Sequence, residues 1–216
     1  MHTDRSDIDS SPDINSELNT FLVDALLSRR SVHPRHLVDP GPDRTAIRQI
    51  IAAAVTAADH GQLRPWRFIV VAGESRESLA EVFVEIKKRR NMHLSSAELE
   101  QERARARSVP LLIAVVSRIV VDHPLVPVSE QHASVGGAIQ NMLLCAHGLG
   151  FGAKMVSGRK VRDSQLAREF KLAPRESLFG FVCIGSAVPG ASRKPRAPIS
   201  DVLSYWQREK VCEKSA

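Results

Sequence analysis

The 216-residue chain has three cysteines, one tyrosine and two tryptophans, and each shortage removes a class of protein. Cys145, Cys183 and Cys212 are odd in number and far apart. They make neither a CxxC pair nor a disulfide framework, which suits a reducing compartment, and Cys145 and Cys183 read as small buried apolar residues. The longest apolar runs, such as residues 111–116, are far too short to cross a bilayer. The opening MHTDRSDIDSSPDINS is acidic and polar where a signal peptide needs a basic start and an apolar stretch. A cytoplasmic location without membrane contact is therefore expected. His123, His132, Cys145 and His147 share no zinc spacing, and no GxSxG is present, so neither a metal nor a protein nucleophile is expected.

Charge is in excess on one side, with a formal net of +6. Scarce aromatics leave no stacking platform, which argues against nucleic acid as the partner. The densest basic run, Lys87 to Arg90, closes a helix-like segment whose apolar positions are Leu79, Val82, Phe83 and Ile86. Cations there complement a helix C-terminus on a solvated face. A small anionic ligand fits the remaining charge better.

Periodicity and punctuation give the order of elements. Residues 1–15 read as a disordered leader, 16–207 as one domain and 208–216 as a tail. A first helix, with Leu18, Phe21, Leu22, Ala25 and Leu26 on one stripe, ends at Arg29. An extended segment punctuated by Pro34, Pro40 and Pro42 follows. Asp43 caps a second helix that buries Ile47, Ile50, Ile51, Ala54 and Val55. A polar loop over 59–65 leads into a strand over 66–71. Ser75 opens a third helix, and Ser95 with Glu98 forms a capping box for a fourth. A central strand over 111–117 precedes the longest helix, 129–147, with Val135, Ile139, Met142, Leu143 and Ala146 inward and Gly148 as its stop. A strand over 151–156, a short helix capped by Asp163 and a strand over 180–185 complete the chain. Helices and strands without a βαβ repeat predict an α+β fold: a mixed, mainly antiparallel sheet flanked by helices.

Arg29, Arg30 and Ser31 are the first chemically informative residues. Two guanidinium forks and a hydroxyl suit a terminal phosphate, while a simpler role is to complement the helix end. Gly148, Gly150 and Gly152 are spaced GxGxG after a helix, which matches neither a dinucleotide fingerprint nor a P-loop. Asp59 and His60 could act as an acid/base pair or simply bind a ligand.

Four landmarks in order resemble the nitroreductase family and its short YdjA-like branch, over residues 18–206. These are Arg29-Arg30-Ser31-Val32, the loop from Ala57 through Asp59, His60 and Pro65 to Phe68, the small-residue helix containing Ala133, Ser134, Gly136, Gly137 and Ala138, and Gly148 to Gly152 with Ser157 and Gly158 behind. The resemblance implies an intertwined homodimer with one FMN in each interface pocket and NADH or NADPH as electron donor. The acceptor it implies is a small molecule, nitro-aromatic or similarly electrophilic. It assigns the flavin to Arg29, Arg30 and Ser31 of one subunit and Thr56 and His60 of the other, with Met155, Val156 and Ser157 lining it and Arg196 assisting at the phosphate. It assigns the nicotinamide to Cys145, Ala146, His147, Gly148, Leu149 and Gly150. No catalytic side chain is implied, because flavin N5 carries the hydride. A lid over 91–108 is expected. Ala58 stands where relatives often carry proline, Thr56 where there can be an arginine, and Met155 and Val156 replace a more polar strand containing tryptophan.

Overall fold

A computed structural model describes residues 14–188 and 195–206, with side chains from residue 20 onward. Of the leader expected over 1–15, only Ile14 and Asn15 are described, as the start of a helix. The tail expected over 208–216 lies outside the described residues.

Residues 111–118 set the layering, because every side chain of the apolar run is buried on both faces. This strand, β3 (Leu111–Arg118), pairs antiparallel with β2 (Trp66–Ala72) on one side and β5 (Glu176–Ala187) on the other. β5 also pairs antiparallel with β4 (Gly152–Val156) and, through its last residues, with the two-residue β1 (Leu37–Val38). Among the described residues, parallel pairing is confined to an isolated bridge from Ser31 to Ala153. Strand alternation then divides the core. Leu112, Ala114, Val116, Phe181 and Cys183 meet helix α3 (Ser75–Arg90), α4 (Ser96–Arg107) and α6 (Ser164–Glu169). Leu111, Ile113, Val115, Val182 and Ile184 meet α2 (Arg44–Ala54) and the long α5 (Val128–Gly148). The result is the expected α+β arrangement, with helices on both faces of one sheet.

Three helix starts, those of α2, α4 and α6, follow their side-chain caps. Asp43 accepts from the Ala46 amide at 2.8 Å, and Asp163 from the Gln165 amide at 3.0 Å. Ser95 and Glu98 satisfy each other's backbone amides in a full capping box. The stop of α5 falls two residues later than expected. Gly150, not Gly148, takes the left-handed conformation (φ 85°), and Phe151 and Gly150 donate to the carbonyls of Ala146 and His147 at 2.8 and 3.0 Å. This is a Schellman closure, in which Gly148 is simply the last helical residue.

Three further departures have physical causes. Val55 lies beyond the end of α2 and is exposed, while Ala46 takes a buried position on that helix. β5 begins at Glu176 rather than 180, because Ser177 and Phe179 face outward and interrupt the apolar signal. Helix α1 (Ile14–Ser28) presents Phe21, Leu22 and Leu26 to solvent instead of to the core. No helix among the described residues is long and apolar enough to cross a membrane.

Glu176 anchors the lower edge of the sheet. Arg67 grips it with a bidentate fork at 3.0 and 2.6 Å, and Arg118 and the Ala173 amide add contacts at 2.6 and 3.1 Å. The Arg67 fork is the main reason that its carboxyl is held at about 2, against an ordinary value of 4.5. A depressed carboxyl contributes stability above its unfolded pKa and loses it as pH falls through the folded one. Glu176→Gln should therefore cost roughly 3 kcal/mol at neutral pH, the low end for a buried pair because Arg67 and Arg118 still touch water. Urea unfolding of both proteins from pH 7 to pH 2 should show this gap closing below about pH 4.5. A gap that stayed constant would mean that the carboxylate charge is not what holds the edge.

Candidate active site

Helix α1 delivers its last turn to the edge strand β4. The Val32 amide donates to the Ala153 carbonyl at 3.1 Å, which seats Ser31 beside the strand. The arginines before it are only half-buried, yet Arg29 Nη1 and Arg30 Nε are buried atoms without a partner. Arg30 spends Nη1 on the carbonyls of Leu27 and Arg29, and Arg196 donates to the Arg29 carbonyl at 2.8 Å. Burial lowers the Arg29 pKa, and the Arg196 and Arg30 charges lower it further. Three guanidinium groups thus converge with no carboxylate among their described contacts. Buried polar atoms are normally paired, so orphaned cationic donors mark a place built for an anion.

The end of α5 adjoins this cradle. His147 Nε2 lies 3.0 Å from Ser28 Oγ, on the residue just before Arg29. Of the other residues expected to take nicotinamide, Gly148, Leu149 and Gly150 are exposed, Cys145 is half-buried with its thiol pushed up by burial, and Ala146 is fully buried. The Ala146 carbonyl is already occupied by Phe151, so it offers a ligand little.

Beyond Ser31 the chain enters a cavity of about 480 Å³. His33, Pro34, Val156, Ser157 and Gly158 line one end, so two of the three expected flavin-lining residues border it. Met155 points to the opposite face of the sheet, into the α2 and α5 layer. The rest of the wall was not expected from the sequence. Lys154 shares a strand face with Val156, and Arg159 and Lys160 follow on a short 3-10 turn. Lys87 and Arg90 arrive from α3 and Glu102 and Arg105 from α4, inside the segment expected to form a lid. The only advance sign was a lysine in an otherwise apolar strand.

Thr56 and His60 lie elsewhere in the chain's own fold. Thr56 is exposed; its hydroxyl donates to the Ala53 carbonyl at 2.8 Å and accepts from Asn141 at 3.2 Å. His60 is exposed and sits 2.7 Å from Glu130. Their loop is held in an uncommon backbone shape: Gly61, Gln62 and Arg64 all have positive φ (72°, 52° and 49°), and Asp59 accepts from the Arg64 amide at 2.7 Å. Non-glycine residues in that region are strained, and such strain concentrates at functional loops. The loop borders a second cavity of about 520 Å³, with Asp59, Gln62, Arg64 and Trp66 in its wall. One chain by itself does not bring Thr56 or His60 to the arginine cradle in any contact among the described residues. Nor do the described residues contain a metal-binding group of histidine, cysteine or carboxylate.

The model of the Nitroreductase family matches residues 26–186. The Escherichia coli K12 protein named "Putative NAD(P)H nitroreductase YdjA" is 29% identical over 178 residues, covering 82% of this chain and 93% of that protein. The crystal structure of a nitroreductase-like family protein from Bacillus cereus superposes with a TM-score of 0.72 at 20% identity, over 87% of this chain and 96% of that one. A Desulfovibrio desulfuricans structure that holds FMN superposes with a TM-score of 0.65 at 22% identity, over 87% and 98% of the two chains.

The site end of β4 is shaped by Gly180, which sits beside the β-bulge opposite Val115 and Val116. A Cβ there would lie 2.4 Å from Met155 Cε and 2.5 Å from the Val156 carbonyl oxygen. Gly180→Ala should therefore push Val156 and Ser157 outward and cost about 1–3 kcal/mol, as overpacking does. Thermal unfolding would measure the loss; an unchanged midpoint would show that this strand end yields freely.

Proposed function

The chain belongs to the nitroreductase family, and from that premise we propose that it is an FMN-dependent oxidoreductase that takes electrons from NADH or NADPH and passes them in pairs to nitro-aromatic or related electrophilic acceptors. The observation that carries the reading is the pair of orphaned donors, Arg29 Nη1 and Arg30 Nε, in a cluster of three arginines. A flavin phosphate supplies the dianion that such a cluster lacks, and the family and the FMN held by the Desulfovibrio structure point to the same cofactor. When bound, FMN would supply the hydride-transferring centre.

The protein's own work is then to bind, orient and tune. Arg29, Arg30 and Arg196 would hold the phosphate, with Ser31 adding a hydroxyl. Val156 and Ser157 border the cavity into which the ring would extend, and Met155 backs the same strand from the other side. The positive charge of Lys154 at that end would favour a reduced, anionic ring. His147 lies next to Ser28, and the turn from Cys145 to Gly150 that carries it is offered as the nicotinamide contact. No acid/base pair is needed on this route.

The homodimer is part of the same proposal. Phe21, Leu22, Val23, Leu26 and Leu27 of α1 are all between 49% and 66% exposed. The segment over 199–206 adds Val202, Tyr205 and Trp206 at 79–85%. Apolar surface on this scale marks an interface. On α5, Ala133 and Gly136 leave a bare outer face, whereas Ser134 and Ala138 turn inward. A second copy would cover the apolar surface and bring its Thr56 and His60 loop to the first copy's cradle.

Arg29→Ala should weaken FMN binding at least tenfold, since one charge-assisted bond contributes roughly 1.5–3 kcal/mol. Fluorescence titration of the flavin into wild type and variant measures this; equal affinities would remove Arg29 from the phosphate site. Sedimentation should give a dimer for wild type, and Leu22→Asp with Leu27→Asp should give monomers that bind FMN poorly. A wild-type monomer that binds FMN tightly would overturn the shared site.

A further inference from the structure

The loop over 59–65 is braced more firmly than a surface turn requires. Asp59 closes it on the Arg64 amide at 2.7 Å. Gly61 sits against the segment that leads into α5, where an added Cβ would lie 3.2 Å from Val126 Cγ2. His60 reaches the first turn of α5 itself, with Nδ1 2.7 Å from Glu130 Oε2 across 70 residues of sequence. Both side chains remain about half exposed, at 59% and 49%. His60 Nε2 makes no hydrogen bond or ion pair among the described residues. An acid in the first turn of a helix complements its dipole, and an exposed ion pair contributes little to stability. Neither effect accounts for a histidine brought to that acid by a loop with three positive-φ residues.

The contact has a consequence for the ring. An ionised carboxylate only accepts, so Nδ1 carries the proton, and Nε2 donates when the ring is an imidazolium. The arginine cradle needs such a donor in a particular form. Arg29, Arg30 and Arg196 converge with no carboxylate among their described contacts, and the Arg29 pKa is lowered by burial and then by the Arg196 and Arg30 charges. A phosphate dianion balances two of those three charges. A lone fourth cation would be repelled, whereas a histidine that brings its own carboxylate adds a donor with no net charge.

We propose that His60 and Glu130 act as one unit at the flavin phosphate. Nε2 of the second copy's His60 donates to the phosphate, and Glu130 is the positioning residue that holds the ring at Nδ1 and offsets its charge. The inference rests on the shared-site dimer proposed above and specifies what the second copy contributes to the cradle. It also makes the pair selective for the phosphate monoester over the same flavin without it.

The test titrates FMN and riboflavin, which differ only in the phosphate, by fluorescence into the full-length protein and its variants. Glu130→Gln should weaken FMN about fivefold and His60→Ala about tenfold. Riboflavin affinity should stay within about a factor of two in both, and Glu130→Gln should add no more than that to a His60→Ala chain. A loss that persists without His60, or that riboflavin shares, would overturn the proposal, because Glu130 would then act on the helix or the fold. Weakened FMN binding in His60→Ala with none in Glu130→Gln would remove Glu130 and leave the shared site standing. Wild-type FMN affinity in His60→Ala, or a wild type that binds no FMN, would remove both this inference and the reading beneath it.

Discussion

Pairing along both edges of β5 is the constraint on which the other parts rest. One twelve-residue strand carries β3 on one side and β4 on the other, and pairs with β1 at its end. Its Gly180 lets Met155 and the Val156 carbonyl approach to a distance that no side chain would permit. The position of β4 then fixes the rest of the site, because the Ala153 carbonyl holds Val32 and so places the residues before it. The arginine cradle is thus a consequence of sheet register, since a one-residue slip of β4 would turn Lys154 into the α5 layer and Ala153 into the cavity.

This frame holds groups that reduce stability when considered alone. Orphaned guanidinium donors cost desolvation without a return, and Arg29 is further opposed by Arg196 and Arg30. Positive φ at Gln62 and Arg64 adds backbone strain. Elsewhere the chain avoids such costs: α2, α4 and α6 start on side-chain caps and Glu102 and Glu176 are multiply paired. Local violations gathered in the His60 loop and the arginine cradle are the pattern expected when function, not folding, chose the residues.

How legible all this was in the sequence varied with the range of the cause. Caps at Asp43, Ser95 and Asp163 act within three residues and could be read directly, as could the doubly buried run of β3. The stop of α5 was misplaced by two residues because three glycines compete there, and only backbone geometry separates Gly150 from Gly148. The apolar stripe of α1 reads as a core-facing helix, but periodicity cannot say whose core it faces. Arg29 and Arg30 were visible because they are neighbours in the chain. The cavity was not, since Lys87, Glu102, Lys154 and Arg159 come from four elements that tertiary packing alone brings together.

The same packing explains what becomes of the net charge of +6. Most of the basic residues on α3 and α4 are not available to a polyanion. Arg103 and Arg107 are held by Glu81, Glu77 and Glu100, and Arg89 and Arg90 converge on Asp163. Pairing on an exposed helix face contributes little energy, but it removes the uniform positive surface that nucleic acid requires. Some of the unpaired cations lie at concave places, Arg29 in the cradle and Lys154 and Arg159 at the cavity, while others such as Arg44, Arg48 and Arg175 stand on the exterior. Charge concentrated in a concave, partly desolvated site acts over a few ångströms and selects small anions. The sequence-wide excess is therefore divided between a partly neutralised exterior and the cationic cradle and cavity wall.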